Sequence, residues 1–466
     1  MVTKYIQSFC INCNMETSLP IPKVPRLYSF TRSFRFVHHP LDVLGQYVDN
    51  YGPTFQWYIA GMQKCILSTD PGFIQHVLQK NHRNYNKSPL QSEKLAHFLG
   101  QNLLTSNGSY WLRQRRLIQP GFHKQRLAGL FNIMQKVIDE SLEELDRELE
   151  KSSEIDIFPQ MMDMAFRIVA RSLFSTNLAE AELQQLKYSI TMLQEFLIRT
   201  IRQPYLAPWF KISGKQRFHE KINAKTDEVI LNIIHRRQKS SKQPDDLLQM
   251  LLDARYEDTG EGMTDRQLIS ESAVLFTAGH ETSANALTWT WYLLAQHPKA
   301  IQQLRAEISE VCGDAPVTFA DLPQLPYCRQ IIEESMRLYP PAWITDRTAI
   351  ANDEYQGISI PAGTMIVPYI YGAHHDPAYW ENPEAFQPER FAPEKRKQQV
   401  PFSYLPFGGG PRLCIGNNFA MMEMQLIIAT MIRRYKLELV KDYPVEVEAL
   451  VTLRPRYGVK LKMKKM

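Results

Sequence analysis

A mainly α-helical fold with small β regions is what this 466-residue sequence predicts, and three observations lead there. Apolar residues recur at three-to-four spacing through most of the stretch from about 70 to 340, as in "LFNIMQKVIDESLEELDRELE" and "EKINAKTDEVILNIIHRRQ". Alternating aromatic and β-branched runs are confined to short stretches near 54–70, 345–370 and 435–466. With no internal repeat and strand signals at both ends of the chain, one large mixed domain over 41–466 is expected rather than several independent ones.

Taken in order, residues 1–40 read as an irregular N-terminal arm, stiffened by "LPIPKVP". "TFQWYIAG" and "KCILSTD" read as a hairpin. Helices follow, interrupted at "IRQPYLAPWFKISG" and again at "YEDTGEGMT". The second break precedes one very long periodic segment, from about Asp265 to Gln296. The helix in "YCRQIIEESMRLYPP" is stopped by two prolines. Residues 376–410 are too long for an ordinary connection and too aromatic for a free linker, so a packed irregular segment is expected. A helix is expected at 416–434, and "EVEALVTLRPRYGVKLKM" closes the chain with hairpin strands.

Composition narrows the function classes. A net charge of +5 from 54 basic and 49 acidic residues suggests a basic patch rather than nucleic-acid binding, for which no motif is present. The first thirty residues hold no apolar run near eighteen residues and no convincing signal-peptide core, so neither a transmembrane anchor nor export is expected, and a cytoplasmic location is. Six cysteines are too few for a disulfide scaffold at this length. Cys10 and Cys13 form a CxxC with no second ligand pair nearby, and read as an incidental pair in a loose arm before a metal or redox site.

The informative cysteine is Cys414, in "PFGGGPRLCIGNNFAMMEMQLIIA". Glycines 408 to 410 allow unusual backbone angles and close approach to a flat partner. The cysteine precedes a helix N-terminus, whose unpaired N–H groups favour a thiolate. Such a thiolate could attack an acyl group, but no catalytic histidine presents itself beside it. It could equally be the sole protein ligand of a metal held mainly by a macrocycle.

"FGGGPRLCIG" resembles the haem-binding signature of the cytochrome P450 family, with Phe407, Gly410, Arg412, Cys414 and Gly416 all in register, and further matches extend over nearly the whole chain. The resemblance implies the P450 fold, a triangular prism-like single catalytic domain, with haem b as cofactor. Cys414 would be the axial iron ligand and Phe407 a neighbour of its sulfur, although alone Phe407 could equally be core. Glu334 and Arg337 in "EESMR", with Arg390 in "FQPERF", resemble the family's structural Glu–Arg–Arg network, where two arginines satisfy one buried carboxylate. Taken alone, that pair reads as an exposed salt bridge. "AGHETS" resembles the oxygen-activation motif, in which Glu281 and Thr282 would organise water and protons, and His280 is left to packing or polar lining. A helix crossing built on small residues would explain the same stretch if it stood alone. Trp111 and Arg115, four apart on one helical face, resemble the pair that binds a haem propionate, and Arg347 and Arg412 match other propionate contacts. By the same analogy the substrate pocket draws on the loop around 88–103 and on Phe276, Ala278, Ala342 and Ile344.

The function implied is insertion of one oxygen atom from O2 into a C–H bond of a small, lipophilic substrate. The motif style is closer to the fatty-acid-hydroxylating and microsomal-like branches, which points to fatty acids, terpenoids or carotenoids and leaves polar substrates open. A peroxide-using or rearranging enzyme of the same fold, or a non-enzymatic haem sensor, are the alternatives, and the intact Glu281–Thr282 pair argues against the first. With no glycine-rich nucleotide-binding unit or iron–sulfur cysteine cluster, electrons are expected from a separate ferredoxin, flavodoxin or other flavoprotein, and the protein is expected to be a monomer. An acidic donor would need basic residues on the cysteine side of the haem. Arg113, Arg116, Lys124, Arg126, Lys395, Arg396 and Lys397 are the candidates, each of which could also be simply a solvated charge.

Overall fold

The computed structural model describes residues 21–175 and 179–466; Cys10 and Cys13 lie outside them. The principal helices are α1 (Arg26–His38), α2 (Pro40–Tyr51), α3 (Gly108–Ile118), α4 (Lys124–Leu149), α5 (Ile157–Phe174), α6 (Glu180–Arg202), α7 (Lys215–Lys239), α8 (Asp265–Gln296), α9 (Pro298–Cys312), α10 (Pro326–Leu338) and α11 (Asn417–Arg434). The strands are β1 (Thr54–Ile59), β2 (Gln63–Ser68), β3 (Tyr85–Asn86), β4 (Glu154–Asp156), β5 (Arg347–Ala349), β6 (Asp353–Tyr355), β7 (Ile358–Ile360), β8 (Met365–Pro368), β9 (Tyr435–Leu439), β10 (Val447–Ala449), β11 (Leu453–Pro455) and β12 (Lys460–Lys465). The protein is mainly α.

The long helix α8 starts where its sequence signals a start. The Thr264 hydroxyl accepts from the Gln267 N–H, and the Gln267 carboxamide accepts from the Thr264 N–H, closing a capping box. Its flank lies along α5, and α4, α5, α8, α10 and α11 share the main hydrophobic core. The larger sheet runs β1-β2-β8-β5-β3, with β2 and β8 parallel and the other pairs antiparallel. Its register sets Arg347 opposite Ile366. A second sheet, β4-β12-β9, ties the C-terminus to the start of α5.

The N-terminal reading needs correction. Residues 26–38, expected to be irregular, form α1, and they pack on the sheet: the Phe36 and Trp57 rings lie 5.3 Å apart and the Tyr28 and Tyr47 rings 6.0 Å apart. Pro25 sits just ahead of the helix, where its missing N–H costs no helical bond, so the proline run marks a start and not a break. The segment 376–410 is mostly irregular yet packed, with Trp380, Phe391 and Leu405 buried. Among the described residues no helix is long and apolar enough to cross a membrane.

Candidate active site

Cys414 owes its position to the backbone of the loop before it. Gly408 and Gly410 take φ of +73° and +67°, in the left-handed region. The loop folds back so that the Cys414 N–H donates to Phe407 O at 3.0 Å and the Leu413 N–H to Gly410 O at 3.0 Å. Gly410 also abuts the chain after β2, where an added Cβ would lie 1.9 Å from Leu78 O. The thiol faces a large internal cavity of about 1080 Å³. Burial pushes its pKa up, while the Gly416 N–H and the Arg115 guanidinium pull it down. Gly416, at the start of α11, brings its backbone to Sγ without a side chain in the way.

Four of the cations that line the same cavity, Lys87, Arg115, Arg347 and Arg412, make hydrogen bonds to the protein. Arg412 donates to Ser106 O and Asn107 Oδ1, both at 3.1 Å, and its guanidinium lies 4.2 Å from the centre of the Trp111 ring. Arg347 donates to Asp346 O at 2.6 Å, Arg115 to Leu413 O at 2.9 Å, and Lys87 to Leu103 O at 2.7 Å. Their protein acceptors are thus uncharged, and none of the four forms an ion pair with a carboxylate among the described residues. Burial lowers the pKa of each, with Lys87 well below its usual value and Arg412 at about 10, and Arg347 and Arg412 oppose each other's charge. Asp346 and Glu271 offset part of this charge without forming an ion pair, and the cluster of largely desolvated cations fits a carboxylate-bearing ligand lying against Cys414. Lys87 was not singled out in the sequence, since a lone lysine in "NYNKSP" carries no pattern.

Helix α8 supplies the opposite wall. The Thr282 hydroxyl donates to Ala278 O at 2.8 Å, and Ala278 presents an open patch to the cavity. Glu281 is held by side chains from two other elements, Gln194 of α6 and Thr452 of the β10–β11 turn. His280 turns away from the cavity. It is 4 % exposed, its Nδ1 pairs with Phe276 O, and burial lowers its pKa, so it stays neutral between α5 and α8. Phe276 is among the residues lining the cavity, with its ring 2 % exposed and packed edge-on against Phe166 of α5. Ala342 and Ile344 do line the cavity, as do Leu90, Leu95, Phe98 and Leu103 from the 88–103 loop.

Glu334, Arg337 and Arg390 come together in the core. Arg337 Nε and Nη2 donate to the two Glu334 oxygens at 2.8 and 2.9 Å, and the Gln387 N–H and Arg390 complete the ring. Arg337 also donates to His374 O at 2.9 Å and Ala385 O at 3.2 Å, which ties the start of the 376–410 segment to α10. Burial pushes the Glu334 pKa up against the pull of Arg337.

The candidate basic face is partly self-neutralised. Arg113 pairs with Asp258, Arg126 with Asp245 and Arg396 with Glu333. Arg116, Lys395 and Lys397 are exposed, and the Lys124 side chain lies outside the described residues.

Comparison with known proteins agrees with this arrangement: the cytochrome P450 family model matches residues 22–463. The chain belongs to the cytochrome P450 family. It is 34% identical to cyclooctatin synthase of Streptomyces melanosporofaciens, covering 81% of each chain. It is 31% identical to rat cytochrome P450 4A2, covering 89% of this chain and 84% of that one, and 30% identical to the pig taurochenodeoxycholic 6 alpha-hydroxylase, covering 87% and 83%. The protein is therefore a haem-thiolate oxidoreductase with haem b as its cofactor and P450 monooxygenase activity.

Proposed function

We propose that this P450 hydroxylates a lipophilic substrate held between α8 and the Cys414 loop, with Cys414 as the thiolate ligand of the haem iron. What carries the reading is the convergence of Cys414, the cations Lys87, Arg115, Arg347 and Arg412, which form no ion pair among the described residues, and the open Ala278–Thr282 stretch on one cavity. Lys87, Arg347 and Arg412 would hold the two propionates, with Trp111 supporting Arg412 from below and Arg115 beside the sulfur. Thiolate-ligated haem, in general, binds dioxygen and cleaves its O–O bond, supplying the oxidising power that no side chain has. The protein's share is placement. Phe407 O holds the Cys414 N–H, and the Gly416 N–H favours the thiolate. Thr282, bonded to Ala278 O, keeps a hydroxyl at the rim of the groove where protons must be delivered, and Glu281 is the nearest carboxylate in sequence. The Glu334–Arg337–Arg390 network serves folding and haem retention. It does not face the reacting atoms.

The cavity is lined mainly by apolar side chains, Leu most often among them, which supports a lipophilic substrate. The names of cyclooctatin synthase and the taurochenodeoxycholic hydroxylase are in keeping with that class. A separate ferredoxin or flavoprotein is proposed as electron donor, meeting Arg116, Lys395 and Lys397. The deciding experiment is the spectrum of the reduced carbon monoxide complex. Wild-type protein should show the red-shifted Soret band of thiolate ligation, and Cys414→Ser should lose it. A histidine-type spectrum from the haem-loaded wild type would end the assignment.

A further inference from the structure

Glu281 is the residue before Thr282, yet its carboxylate is not bound within its own helix. Gln194 Nε2, from the middle of α6, donates to Glu281 Oε2 at 2.6 Å. The Thr452 hydroxyl, from the β10–β11 turn, donates to Oε1. Thr452 is itself oriented from α8: Asn285 Nδ2, one turn beyond Glu281, donates to the Thr452 oxygen at 3.0 Å, leaving that hydroxyl's single proton for the carboxylate. Gln194, Glu281 and Thr452 all line the cavity, and among the described residues no cation forms an ion pair with Glu281. Two neutral donors, more than 250 residues apart in the chain, therefore hold one carboxylate on the reactive helix.

We propose that Gln194 and Thr452 are positioning residues for Glu281, and that they form a polar latch joining α6 and the β10–β11 turn to α8 across the cavity. This rests on the haem-thiolate reading above, in which Thr282 stands where protons must be delivered and Glu281 is its neighbouring carboxylate. The chemistry of the pair follows from the donors. A carboxylate in a largely apolar cavity takes strong hydrogen bonds from neutral donors, and its orientation is set by where they stand. Because one donor rides on α6, a shift of that helix changes the placement of Glu281; because the other is a hydroxyl on a short turn, the turn shifts with it. A substrate that occupies the space between α6 and α8 competes for the Gln194 amide, so filling of the cavity is coupled to the freedom of Glu281.

The test uses the holoenzyme with Gln194→Leu, Thr452→Val and the conservative Thr452→Ser. Deuterium uptake is read at residues 180–202 and 447–455. Gln194→Leu should speed exchange at 447–455, and Thr452→Val should speed it at 180–202, each by about tenfold for the loss of one charge-assisted bond. A surrogate ferredoxin system without added substrate then reports the share of electrons released as peroxide and its solvent isotope effect. Both should change in Gln194→Leu and Thr452→Val and return to wild-type values in Thr452→Ser. If each variant loosens only its own segment, or if Thr452→Val matches wild type in isotope effect, the latch is refuted. A wild-type holoenzyme lacking the thiolate carbon monoxide band would instead remove the haem-thiolate reading.

Discussion

Replacing Arg337 with methionine tests the buried network at its centre. Glu334 and Arg337 are both fully buried, and the substitution removes two of the four groups arranged around the Glu334 carboxylate, at 2.8 and 2.9 Å. Breaking a buried pair from one side costs about 3–5 kcal/mol, because the charge left behind has no water and keeps only the Gln387 N–H and Arg390 beside it. The His374 and Ala385 carbonyls lose their donor as well, at about 1 kcal/mol each. A loss of about 5–7 kcal/mol is then set against a total folding stability of about 5–15 kcal/mol. Arg337→Met should therefore accumulate little folded, haem-containing protein. Arg337→Lys keeps the charge but cannot donate to both oxygens and both carbonyls, and should lose about 2–3 kcal/mol. The measurement is urea unfolding followed by far-ultraviolet circular dichroism, with haem content read in parallel, completed as a double-mutant cycle with Glu334→Gln. Coupling of about 2 kcal/mol or more is expected. Arg337→Lys within about 0.5 kcal/mol of wild type, or strictly additive effects in the cycle, would refute the argument.

Gly410→Ala and Gly408→Ala separate backbone conformation from crowding. Both have positive φ and should lose about 1 kcal/mol for that alone, but only at Gly410 does the new methyl meet Leu78 O, so only there should haem content fall sharply. Glu423 of α11 is fully buried, with Ser283 as its polar neighbour and neither oxygen in a hydrogen bond of ordinary geometry, and burial raises its pKa to about 8. The folded state thus keeps a proton that the unfolded chain releases above its ordinary value near 4.5, so this group's contribution to stability falls as pH rises from about 4.5 to about 8. Glu423→Gln should flatten that decline, which spans at most about 5 kcal/mol, in unfolding curves taken at pH 5 and pH 8; parallel curves for the two proteins would contradict it. Charge reversal at Arg116, Lys395 and Lys397 should slow reduction of the haem by an acidic ferredoxin by roughly tenfold at low salt, and the defect should shrink as salt screens the encounter. Equal loss of peroxide-driven turnover would point to a damaged fold.

The backbone geometry of the Cys414 loop was legible because it is local. The glycines, Arg412, Cys414 and Gly416 lie within nine residues, and the backbone geometry they need is written in their own types, with Gly410 required by both its φ and its contact. Glu334 and Arg337 likewise share one helical turn, so spacing alone set them side by side. The helix α1 was misread because "LPIPKVP" signals a stiff coil locally, while burial of Tyr28 and Phe36 against α2 and β1 comes only from the folded neighbours. Phe276 lines the cavity, but how deeply its ring is buried follows only from the packing of Phe166 and Phe174 against α8. Lys87, Gln194 and Thr452 had no local signal at all. From its own residues, then, the sequence determined the family, the Cys414 loop and the helix periods, since each depends on short-range backbone geometry and spacing. The tertiary structure alone decided which distant side chains share the cavity, because those contacts depend on how the helices and sheets close around it.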